Sequence, residues 1–473
     1  MKRFFIFFTL SLFSLQGYCG ELASQLDSMM NLYYVQNNFS GSVLVAKDGE
    51  VLYADGFGYA NIEHNVENSP EKKYRIASIS KQFTSMLIMQ KVSEGKISLD
   101  STISTYIEDY PKPQGNIITI HHLLSHTSGM PHYAGIPDFF PKYGRLPFEH
   151  REFVELFWDL DLLFEPGEEF SYSSFGYYLL GYILEEVSGK TFPELLNDRI
   201  LEPLEMFNTG VEDHRKIIMN RAYGYNFLLD YFERAGFRDL STALATGDMY
   251  SSPLDMVRWE RALADNKLLD KEYQDMIFSP NLDGYAYGWR TGYSKMNEND
   301  SVYYHQHTGG TNGFTSIVTR LPEDGYYIVV FCNSRPAEIR SVEQNIIRLL
   351  YGYELDFSPS IALALARILE SDGLEAALDY LSGFSENEEK QDELSFNDIA
   401  RVGRDLLYLD RTGEAISIFK VGVELFPQTA NAYVMLGDGY HAEGKKEKAI
   451  KAYAKALLLE PQHSGALQKI QRY

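Results

Sequence analysis

Two groups of apolar, strand-like segments lie far apart in the chain. Near the N-terminus, residues 39–53 predict two strands joined by a tight turn at Asp48-Gly49. Far downstream, residues 314–319 and 326–331 predict a second pair of strands. The chain between the two pairs has helical rather than strand-like spacing. The pattern therefore predicts one sheet that is built from both ends of a domain.

The middle of this domain has the apolar spacing of helices. Ile79, Phe83 and Met86 form one such stripe, and residues 178–187 form another. A further helix, from about residue 337 to residue 353, follows the last predicted strand. The middle segment predicts an inserted helical lobe, with a crevice where the lobe meets the sheet.

After residue 356 the pattern becomes wholly helical and repeats. Small and aromatic positions recur at an offset of 34 residues, the length of a tetratricopeptide repeat. The recurring pairs are Gly403 and Gly437, Ala415 and Ala449, Phe419 and Tyr453, and Pro427 and Pro461. The sequence predicts an all-α repeat domain over residues 359–473, with clear repeats at about 396–429 and 430–463. Because such repeats usually bind proteins, we expect a docking or self-association surface there.

Composition narrows the classes of function. The chain has 473 residues and carries 43 Lys and Arg against 66 Asp and Glu, a formal charge of -23 at pH 7. Binding to a phosphate backbone would work against that negative field, so no nucleic-acid partner is expected. With 45% hydrophobic residues, the chain has ample material for a packed core.

The first residues have the pattern of an export signal. Lys2 and Arg3 precede an apolar run over residues 4–15, which small and turn-forming residues follow. We therefore predict a signal peptide over residues 1–19, a periplasmic or extracellular location, and no membrane span in the mature chain. A lipid anchor at Cys19 is the less favoured alternative, because the residues before it make a poor lipoprotein box.

The strongest chemical signal is a serine three residues before a lysine, Ser78 and Lys81, at the start of a predicted helix. This spacing places both side chains on one helix face. The helix N-terminus supplies a positive field and free amides, which favour an alkoxide and a developing oxyanion. A lysine that is desolvated beside a serine can lose its proton near neutral pH and act as a base. Alone, the pattern is common by chance.

Two more segments add candidate chemistry. Tyr172 follows a turn-rich loop and leads into a helix, where a neighbouring lysine would lower the pKa of its hydroxyl and let it shuttle protons. His307-Thr308-Gly309-Gly310 stands just before the second strand pair, where an edge strand would offer its backbone to a substrate. The plainer interpretations are a packed tyrosine, one of 34 in the chain, and an ordinary glycine turn.

Together these segments resemble the three signature elements of the family of class C beta-lactamases and D-alanyl-D-alanine carboxypeptidases. In this chain the elements are Ser78-x-x-Lys81, Tyr172-Ser173-Ser174 and His307-Thr308-Gly309. The resemblance covers about residues 22–353, within a predicted domain at 21–355, and includes accessory segments at 41–61, 122–129 and 246–252. It implies a beta-lactamase-like α/β (α+β) domain, with an antiparallel sheet flanked by helices and a helical lobe.

The resemblance also implies roles for individual residues. Ser78 would be acylated, and Lys81 and Tyr172 would activate first Ser78 and then the deacylating water. The backbone amides of Ser78 and Gly310 would form the oxyanion hole. The implied substrate-binding residues are Ser174, His307, Thr308 and Gly309. Neither a cofactor nor a metal is expected, and the substrate would be a small molecule or a peptide.

Two positions depart from the pattern of many penicillin-active members, which have asparagine and lysine where this chain has Ser174 and His307. Serine is a shorter partner for a substrate amide, and histidine is largely neutral near pH 7. Histidine variants of the third element resemble the esterases and peptidases of the family. We therefore expect an exported hydrolase of a peptide or small ester rather than an efficient beta-lactamase. The alternative is a catalytically weak, penicillin-binding-like sensor with the repeats as its docking surface.

Other patterns carry less information. His121, His122, His126 and His132 lack convincing metal-ligand spacing, and we expect them to have a structural role. The chain has no Gly-x-Ser-x-Gly elbow, which argues against the ordinary alpha/beta-hydrolase fold.

Overall fold

The computed structural model describes residues 5–133, 136, 138–386, 393–470 and 473. The chain forms two compact units. The first, the sheet unit, comprises Met1–Asn226 and Arg234–Phe357. The second, the repeat unit, comprises Ser358–Tyr473 together with the short segment Phe227–Glu233.

The strands are numbered in chain order: β1 (Gly41–Lys47), β2 (Glu50–Phe57), β3 (Tyr59–Asn61), β4 (Val66–Glu67), β5 (Tyr74–Arg75), β6 (Gly210–Val211), β7 (Tyr225–Leu228), β8 (Tyr231–Arg234), β9 (Met249–Ser251), β10 (Tyr285–Ala286), β11 (Trp289–Lys295), β12 (Ser301–Thr311), β13 (Phe314–Leu321), β14 (Tyr326–Cys332) and β15 (Ser334–Arg335).

The helices are numbered in the same way: α1 (Phe5–Asn37), α2 (Ser80–Ser93), α3 (Gln114–Ile117), α4 (Ile120–Leu124), α5 (Phe139–Tyr143), α6 (His150–Glu155), α7 (Ser174–Ser188), α8 (Phe192–Leu196), α9 (Pro253–Ala264), α10 (Lys271–Phe278), α11 (Ile339–Leu350), α12 (Ile361–Asp372), α13 (Leu374–Glu386), α14 (Phe396–Tyr408), α15 (Thr412–Leu425), α16 (Ala430–Ala442), α17 (Lys446–Leu459) and α18 (Ser464–Ile470). Shorter helical turns lie at Ala77–Ile79, Ile103–Thr105, Asn197–Leu201, Leu240–Ala243 and Leu282–Gly284.

A seven-stranded antiparallel sheet in the order β10-β11-β12-β13-β14-β1-β2 organises the sheet unit. Strand β1 pairs with β14 along its whole length, from Gly41 opposite Cys332 to Lys47 opposite Tyr326. This pairing joins the N-terminal strands to the C-terminal ones. The prediction of one sheet built from both ends of the domain is therefore confirmed.

The β1–β2 hairpin illustrates how local sequence sets the sheet. Asp48 (φ 50°) and Gly49 (φ 78°) both adopt left-handed backbone conformations, which suit the right-handed twist of the flanking strands. Successive residues of β1 then point to opposite faces, and both faces are buried. Val43 packs into one core and Leu44 into the other, which explains why the sequence of β1 is a nearly continuous apolar run.

Helices cover both faces of the sheet. Helices α1 and α11 contribute Met29 and Ile346 to the core on one face. Helices α2, α7 and α9 contribute to the core on the other face, where Phe83 stacks on Trp259 at a ring-centroid distance of 4.3 Å. Helices α2 and α7 bury side chains around much of their circumference, as expected of a helical lobe that packs against a sheet.

The N-terminal helix α1 is continuous from Phe5 to Asn37. The predicted signal peptide lies in its first half, and residues 1–4 of that prediction are outside the described residues. From Leu22 onward the helix packs on the sheet, and the Tyr33 hydroxyl lies 2.6 Å from the Ser341 hydroxyl. Among the residues that the structure describes, no helix has the length and apolar character needed to cross a membrane.

The repeat unit contains helix pairs in which a glycine of one helix meets an aromatic ring of the next. A Cβ atom at Gly403 would lie 2.2 Å from Phe419 Cε1, and one at Gly437 would lie 2.5 Å from Tyr453 Cε1. These are the positions that recur every 34 residues in the sequence. These contacts explain why glycine recurs at this offset, since only glycine lets the paired helices α14/α15 and α16/α17 approach this closely.

Candidate active site

The candidate nucleophile sits at a strained turn. Ser78 lies in the 3-10 turn Ala77–Ile79, which runs directly into α2. Ala77 has a φ of 48°, a left-handed conformation that is costly for a residue with a Cβ and is often found at functional sites. The Ser80 hydroxyl holds this turn by donating to the Ala77 carbonyl at 2.7 Å. The turn presents Ser78 half-exposed while its neighbours are buried.

Lys81 lies one turn further on, directly behind Ser78. Its Nζ atom is 3.2 Å from Ser78 Oγ and donates to the Thr246 carbonyl at 2.8 Å. The side chain is fully buried. Burial lowers the pKa of Lys81 from 10.5 to about 7, with a smaller lowering by Arg238 and an opposing effect of Asp248. A substantial share of the amine is therefore neutral near pH 7, as a general base must be.

Tyr172 completes the group around Ser78. Its ring lies over the lysine, with Lys81 Nζ 5.1 Å from the ring centroid, and its hydroxyl is buried without a hydrogen bond of ordinary geometry to any described residue. Burial raises the pKa of Tyr172, and the nearby Ser78 hydroxyl only partly opposes this. The expected lowering of the Tyr172 pKa is therefore wrong, because a half-neutral lysine cannot offset desolvation. Tyr172 is a neutral phenol in the resting site.

The third element, His307 to Gly310, is part of strand β12 rather than a turn that precedes a strand. Strand β12 lies inside the sheet, but its pairing with β11 ends at Gln306 opposite Arg290. Beyond that point β12 pairs with β13 on one side only, as at Gly310 opposite Thr315. The edge strand predicted from sequence is therefore only the end of β12, which is an interior strand elsewhere. This end faces the crevice.

His307 is held neutral by its surroundings. Its Nδ1 atom lies 2.7 Å from the Thr308 carbonyl, which can only accept, so Nδ1 carries the proton. Its Nε2 atom then accepts from the Tyr285 hydroxyl at 3.0 Å. Burial, reinforced by the charge of Lys81, lowers the pKa of His307 to about 3. Both ring nitrogens are engaged, and the side chain supplies no positive charge at neutral pH.

Close backbone packing explains the glycines of this element. A Cβ atom at Gly309 would lie 2.1 Å from the Ile76 carbonyl oxygen, so only glycine lets β12 approach the turn that carries the nucleophile. The Ser316 hydroxyl secures the same contact by donating to the Ile76 carbonyl at 2.9 Å. As a result, Gly310 and Ser78 line one cavity.

The cavity has a volume of about 280 Å³. The predicted site residues that line it are Ser78, Tyr172, His307, Thr308 and Gly310. Lys81 does not line the cavity but contacts Ser78, which does. Neither Ser174 nor Gly309 lines the cavity. Ser174 is buried at the start of α7, with its hydroxyl 3.3 Å from His132 Nε2. Gly309 packs against the turn that carries Ser78.

Sequence reasoning missed part of the cavity wall. Tyr285, Arg290, Gln306 and Arg340 also line it. No local motif marks these residues, because the sheet and the start of α11 bring them to Ser78 from distant parts of the chain. Arg340 lies near the start of the helix predicted from about residue 337, and the other three residues lie near no predicted element.

Two of the four histidines singled out in the sequence, His126 and His132, pack against the Tyr172 ring. His126 Nδ1 accepts from the Ser173 amide at 3.1 Å, and its ring centroid lies 4.3 Å from that of Tyr172. Burial lowers the pKa values of both His126 and His132, the latter to about 4. Within the described ranges, no three His, Cys, Asp or Glu side chains are grouped so as to hold a metal ion.

The fold and site define a class of protein, the serine hydrolases of beta-lactamase and penicillin-binding-protein type. The sequence profile of the beta-lactamase family matches residues 34–351, and a tetratricopeptide-repeat profile matches residues 430–463. The chain therefore belongs to the beta-lactamase family and carries a C-terminal tetratricopeptide repeat.

Individual relatives agree with this assignment. The chain is 28% identical over 324 residues to Protein flp of Staphylococcus aureus strain MW2, with 65% of this chain and 62% of that protein covered, so it spans less than two thirds of that relative. Among solved structures it is similar to an octameric penicillin-binding protein homologue from Pyrococcus abyssi, with a TM-score of 0.62 and 28% identity over 73% of this chain and 81% of that one. It is also similar to D-amino acid amidase from Ochrobactrum anthropi SV3, with a TM-score of 0.59 and 25% identity over 67% and 95%.

Proposed function

We propose that this protein is an exported serine hydrolase that cleaves an ester or amide, in a peptide or a small ester, through an acyl-enzyme on Ser78. The observation that carries the proposal is the 3.2 Å contact between Ser78 Oγ and the fully buried amine of Lys81. Because the pKa of that amine is about 7, a nucleophile and its base stand side by side at physiological pH.

In the acylation step, neutral Lys81 takes the proton of Ser78 as Oγ attacks the substrate carbonyl carbon. The carbonyl oxygen becomes an oxyanion, which the amides of Ser78 and Gly310 would stabilise. Tyr172, a neutral phenol, then donates its proton to the departing amine or alkoxide and recovers one from Lys81. The bond to the leaving group breaks, and the acyl group remains on Ser78.

Deacylation uses the same groups in reverse. Water enters once the leaving group has left, and neutral Lys81, acting through Tyr172, removes its proton as it attacks the acyl carbonyl. The second tetrahedral intermediate collapses, and Ser78 Oγ takes back a proton. The product acid leaves. Because its pKa is raised, Tyr172 is protonated at rest, and it relays protons between Lys81 and the leaving group or water rather than acting as a phenolate.

The site favours a short acyl group. Its volume of about 280 Å³ lies just below the range for drug-sized ligand sites, which begins at about 300 Å³. Neutral His307 does not supply the cation with which many penicillin-active relatives bind a carboxylate, so efficient turnover of beta-lactams is not expected. Similarity to a D-amino acid amidase supports amide cleavage.

Mass spectrometry and turnover together test the proposal. The purified protein is treated with a fluorophosphonate, and hydrolysis of an activated ester is measured beside it. An adduct on Ser78, with labelling and turnover both lost in Ser78→Ala, is expected. Ser93→Ala, which changes an exposed serine of the same helix, is the matched control and should retain both. Folded protein with neither adduct nor turnover would leave the binding-protein alternative as the better account.

Export rests on the N-terminal residues. Expression of the full chain in a bacterium, followed by cell fractionation and mass measurement of the mature N-terminus, tests it. A cut just before Gly20 supports export by signal peptidase. An acylated Cys19 would instead support the lipid anchor, and an intact chain in the cytoplasm would contradict export.

The repeat unit is proposed as a docking or self-association surface, supported by the repeat profile at residues 430–463. Light scattering of the full chain across a range of concentrations measures self-association. A mass that stays at one copy throughout would exclude self-association and leave docking of another protein.

A further inference from the structure

A second cavity of the sheet unit, here named the acidic cavity, shares no lining residue with the catalytic one. Its volume is about 620 Å³, within the range of sites that bind small molecules. Six of the residues that line it carry carboxyl groups: Glu149, Glu152, Glu212, Asp213, Asp239 and Asp248. A cavity lined in this way attracts positively charged ligands.

Only half of these carboxyl groups have a cationic partner in the protein. The paired ones are Glu212 with Arg75 and Arg221, Asp213 with Arg215, and Asp239 with His214. Within the described part of the chain, Glu149, Glu152 and Asp248 form no ion pair. His150 also lines the cavity, but its Nδ1 atom pairs with Glu185 at 2.7 Å. Three carboxyl groups are therefore left to interact with a ligand.

Asp248 is the buried member of these three. Only 2% of the residue is exposed, although it lines the cavity. Its Oδ2 atom accepts from the Ala245 amide at 3.2 Å, whereas its Oδ1 atom is buried and has no hydrogen-bond partner among the described residues. Because a buried carboxylate oxygen without a donor is costly, Oδ1 is suited to accept from a bound molecule.

Glu149 and Glu152 are the exposed members, and they stand where the acidic cavity opens to solvent. Glu149 immediately precedes helix α6, and Glu152 lies in its first turn. Within the described ranges, no three His, Cys, Asp or Glu side chains are grouped so as to hold a metal ion. The negative charge of the cavity is therefore spread from its buried wall to its opening and not gathered at one point.

Apolar side chains supply much of the remaining wall. They are Phe148, Val211, Leu240 and Leu244. Methylene groups gain free energy when they leave water for such a surface. A buried acceptor, an acidic opening and apolar walls together suit a molecule with two cationic ends joined by a hydrocarbon chain.

We propose that the acidic cavity binds a linear aliphatic diamine, with one ammonium group on Asp248 and the other on Glu149 and Glu152. An ammonium group has three N–H donors, so it can bond to Asp248 Oδ1 and form a charge-assisted pair. The methylene chain lies against the apolar walls. Binding requires no turnover, so this inference goes beyond the proposed hydrolase function and is tested separately from it.

Calorimetry with matched amines tests the site. Putrescine is compared with n-pentylamine, in which a methyl group takes the place of the second ammonium group, at low ionic strength because salt screens such charges. We expect one putrescine per chain, bound about fivefold more tightly than pentylamine through the exposed carboxylates. In Asp248→Asn both amines should bind about tenfold more weakly or worse, because the buried charge-assisted bond is lost.

Variants at the opening test the second ammonium group. Replacing both exposed carboxylates, Glu149→Gln with Glu152→Gln, should remove the preference for putrescine over pentylamine. The matched control is Glu155→Gln, an exposed glutamate of the same helix that pairs with Arg151 and does not line the acidic cavity. It should leave the preference unchanged. Equal preference in the double variant and the parent protein would contradict the proposed placement.

Proton release identifies the buried partner. Burial raises the pKa of Asp248 to about 7, so an ammonium group that binds its ionised form should displace about half a proton at pH 7. The titratable groups that interact electrostatically with Asp248 are Lys81, His150, Tyr178 and Glu185. A bound cation lowers the pKa values of Lys81 and His150 too, so the decisive quantity is the fall in proton release in Asp248→Asn. Titrations in two buffers with different heats of ionisation measure it.

Magnesium distinguishes a built site from a diffusely acidic surface. At equal concentration and ionic strength, Mg²⁺ should not displace putrescine from the parent protein. Displacement by Mg²⁺, or putrescine binding no tighter than that of pentylamine, would overturn the inference, as would the absence of any putrescine binding. These comparisons use the parent protein alone, so they decide the question even if Asp248→Asn does not fold. None of them depends on whether Ser78 turns over an ester.

Discussion

Replacing the buried Lys81 tests whether burial lowers the pKa of the proposed base. In Lys81→Met an uncharged side chain of similar length occupies the same fully buried position. The variant should lose turnover, because the base is gone. It should also be more stable than the parent protein near neutral pH, since burying an amine whose ordinary pKa is 10.5 disfavours the folded state.

The magnitude and sign follow from the pKa values. Lys81 has a pKa of about 7 in the folded protein and an ordinary value of 10.5, so the unfolded chain binds a proton that the folded one releases between these two values. This cost to stability is full below pH 7 and disappears as the pH rises through 10.5. At pH 7 it amounts to about 4 kcal/mol, and it falls by about 2 kcal/mol between pH 7.5 and pH 9.

Urea unfolding followed by tryptophan fluorescence measures this difference. All three tryptophans, Trp158, Trp259 and Trp289, belong to the sheet unit, so the signal reports the unit that contains Lys81. The lost hydrogen bond to the Thr246 carbonyl adds an offset that does not vary with pH. For this reason the slope of the stability difference against pH is the decisive quantity, rather than its absolute size.

Lys91→Met, in the same helix, is the control. Its amine pairs with Glu94 at 2.7 Å at the solvent-facing end of α2, and its replacement should produce no comparable slope. A stability difference between Lys81→Met and the parent protein that stays constant from pH 7.5 to pH 9 would refute the reasoning. It would mean that the amine is not desolvated in the folded protein, and the proposed base would lose its physical basis.

Three further predictions concern the proton relay, the charge behind the base and the repeats. Tyr172→Phe keeps the packed ring but removes the hydroxyl, and it should lower kcat for an activated ester by about 10²- to 10⁴-fold; retention of full activity would exclude the relay. Because the Asp248 carboxylate raises the pKa of Lys81, Asp248→Asn should move the acid limb of the pH–rate profile to lower pH, and an unmoved limb in steady-state kinetics would contradict this. Gly437→Ala places a methyl group against an aromatic ring of the next helix and should cost the repeat unit about 1 to 3 kcal/mol by hydrogen exchange, whereas Gly413→Ala, which meets open space, should not destabilise it.

Much of the fold could be predicted because it depends on short-range pattern. The β1–β2 hairpin follows from an Asp-Gly turn between apolar runs, and helix α11 lies within the residues predicted for it. The repeat register could be read for a different reason: a glycine must face an aromatic ring of the next helix in each copy, as Gly403 faces Phe419, so both residue types recur at a fixed offset. Sequence reasoning placed the His307 segment just before the second strand pair, whereas long-range pairing makes it part of strand β12 itself.

The site was predicted in part. The spacing of Ser78 and Lys81 is a local property of one helical turn, and the 3.2 Å contact between their side chains agrees with it. The Tyr172 pKa was predicted in the wrong direction, since sequence reasoning considered a neighbouring charge but could not weigh burial against it. Arg340 carried no motif at all and became visible only when α11 was seen to begin beside β12.

The sequence by itself determined the order of elements and the serine–lysine spacing, because each depends on residues close together in the chain. It also determined the repeat period, because the same packing positions recur along the chain. Only the tertiary structure decided the electrostatics of the site. Segments far apart in sequence surround Lys81 and exclude water from it, burial and the charge of Lys81 hold His307 neutral, and the end of β12 stands beside Arg340. Desolvation and charge act through space, so they follow from which segments the fold packs together and not from any local pattern.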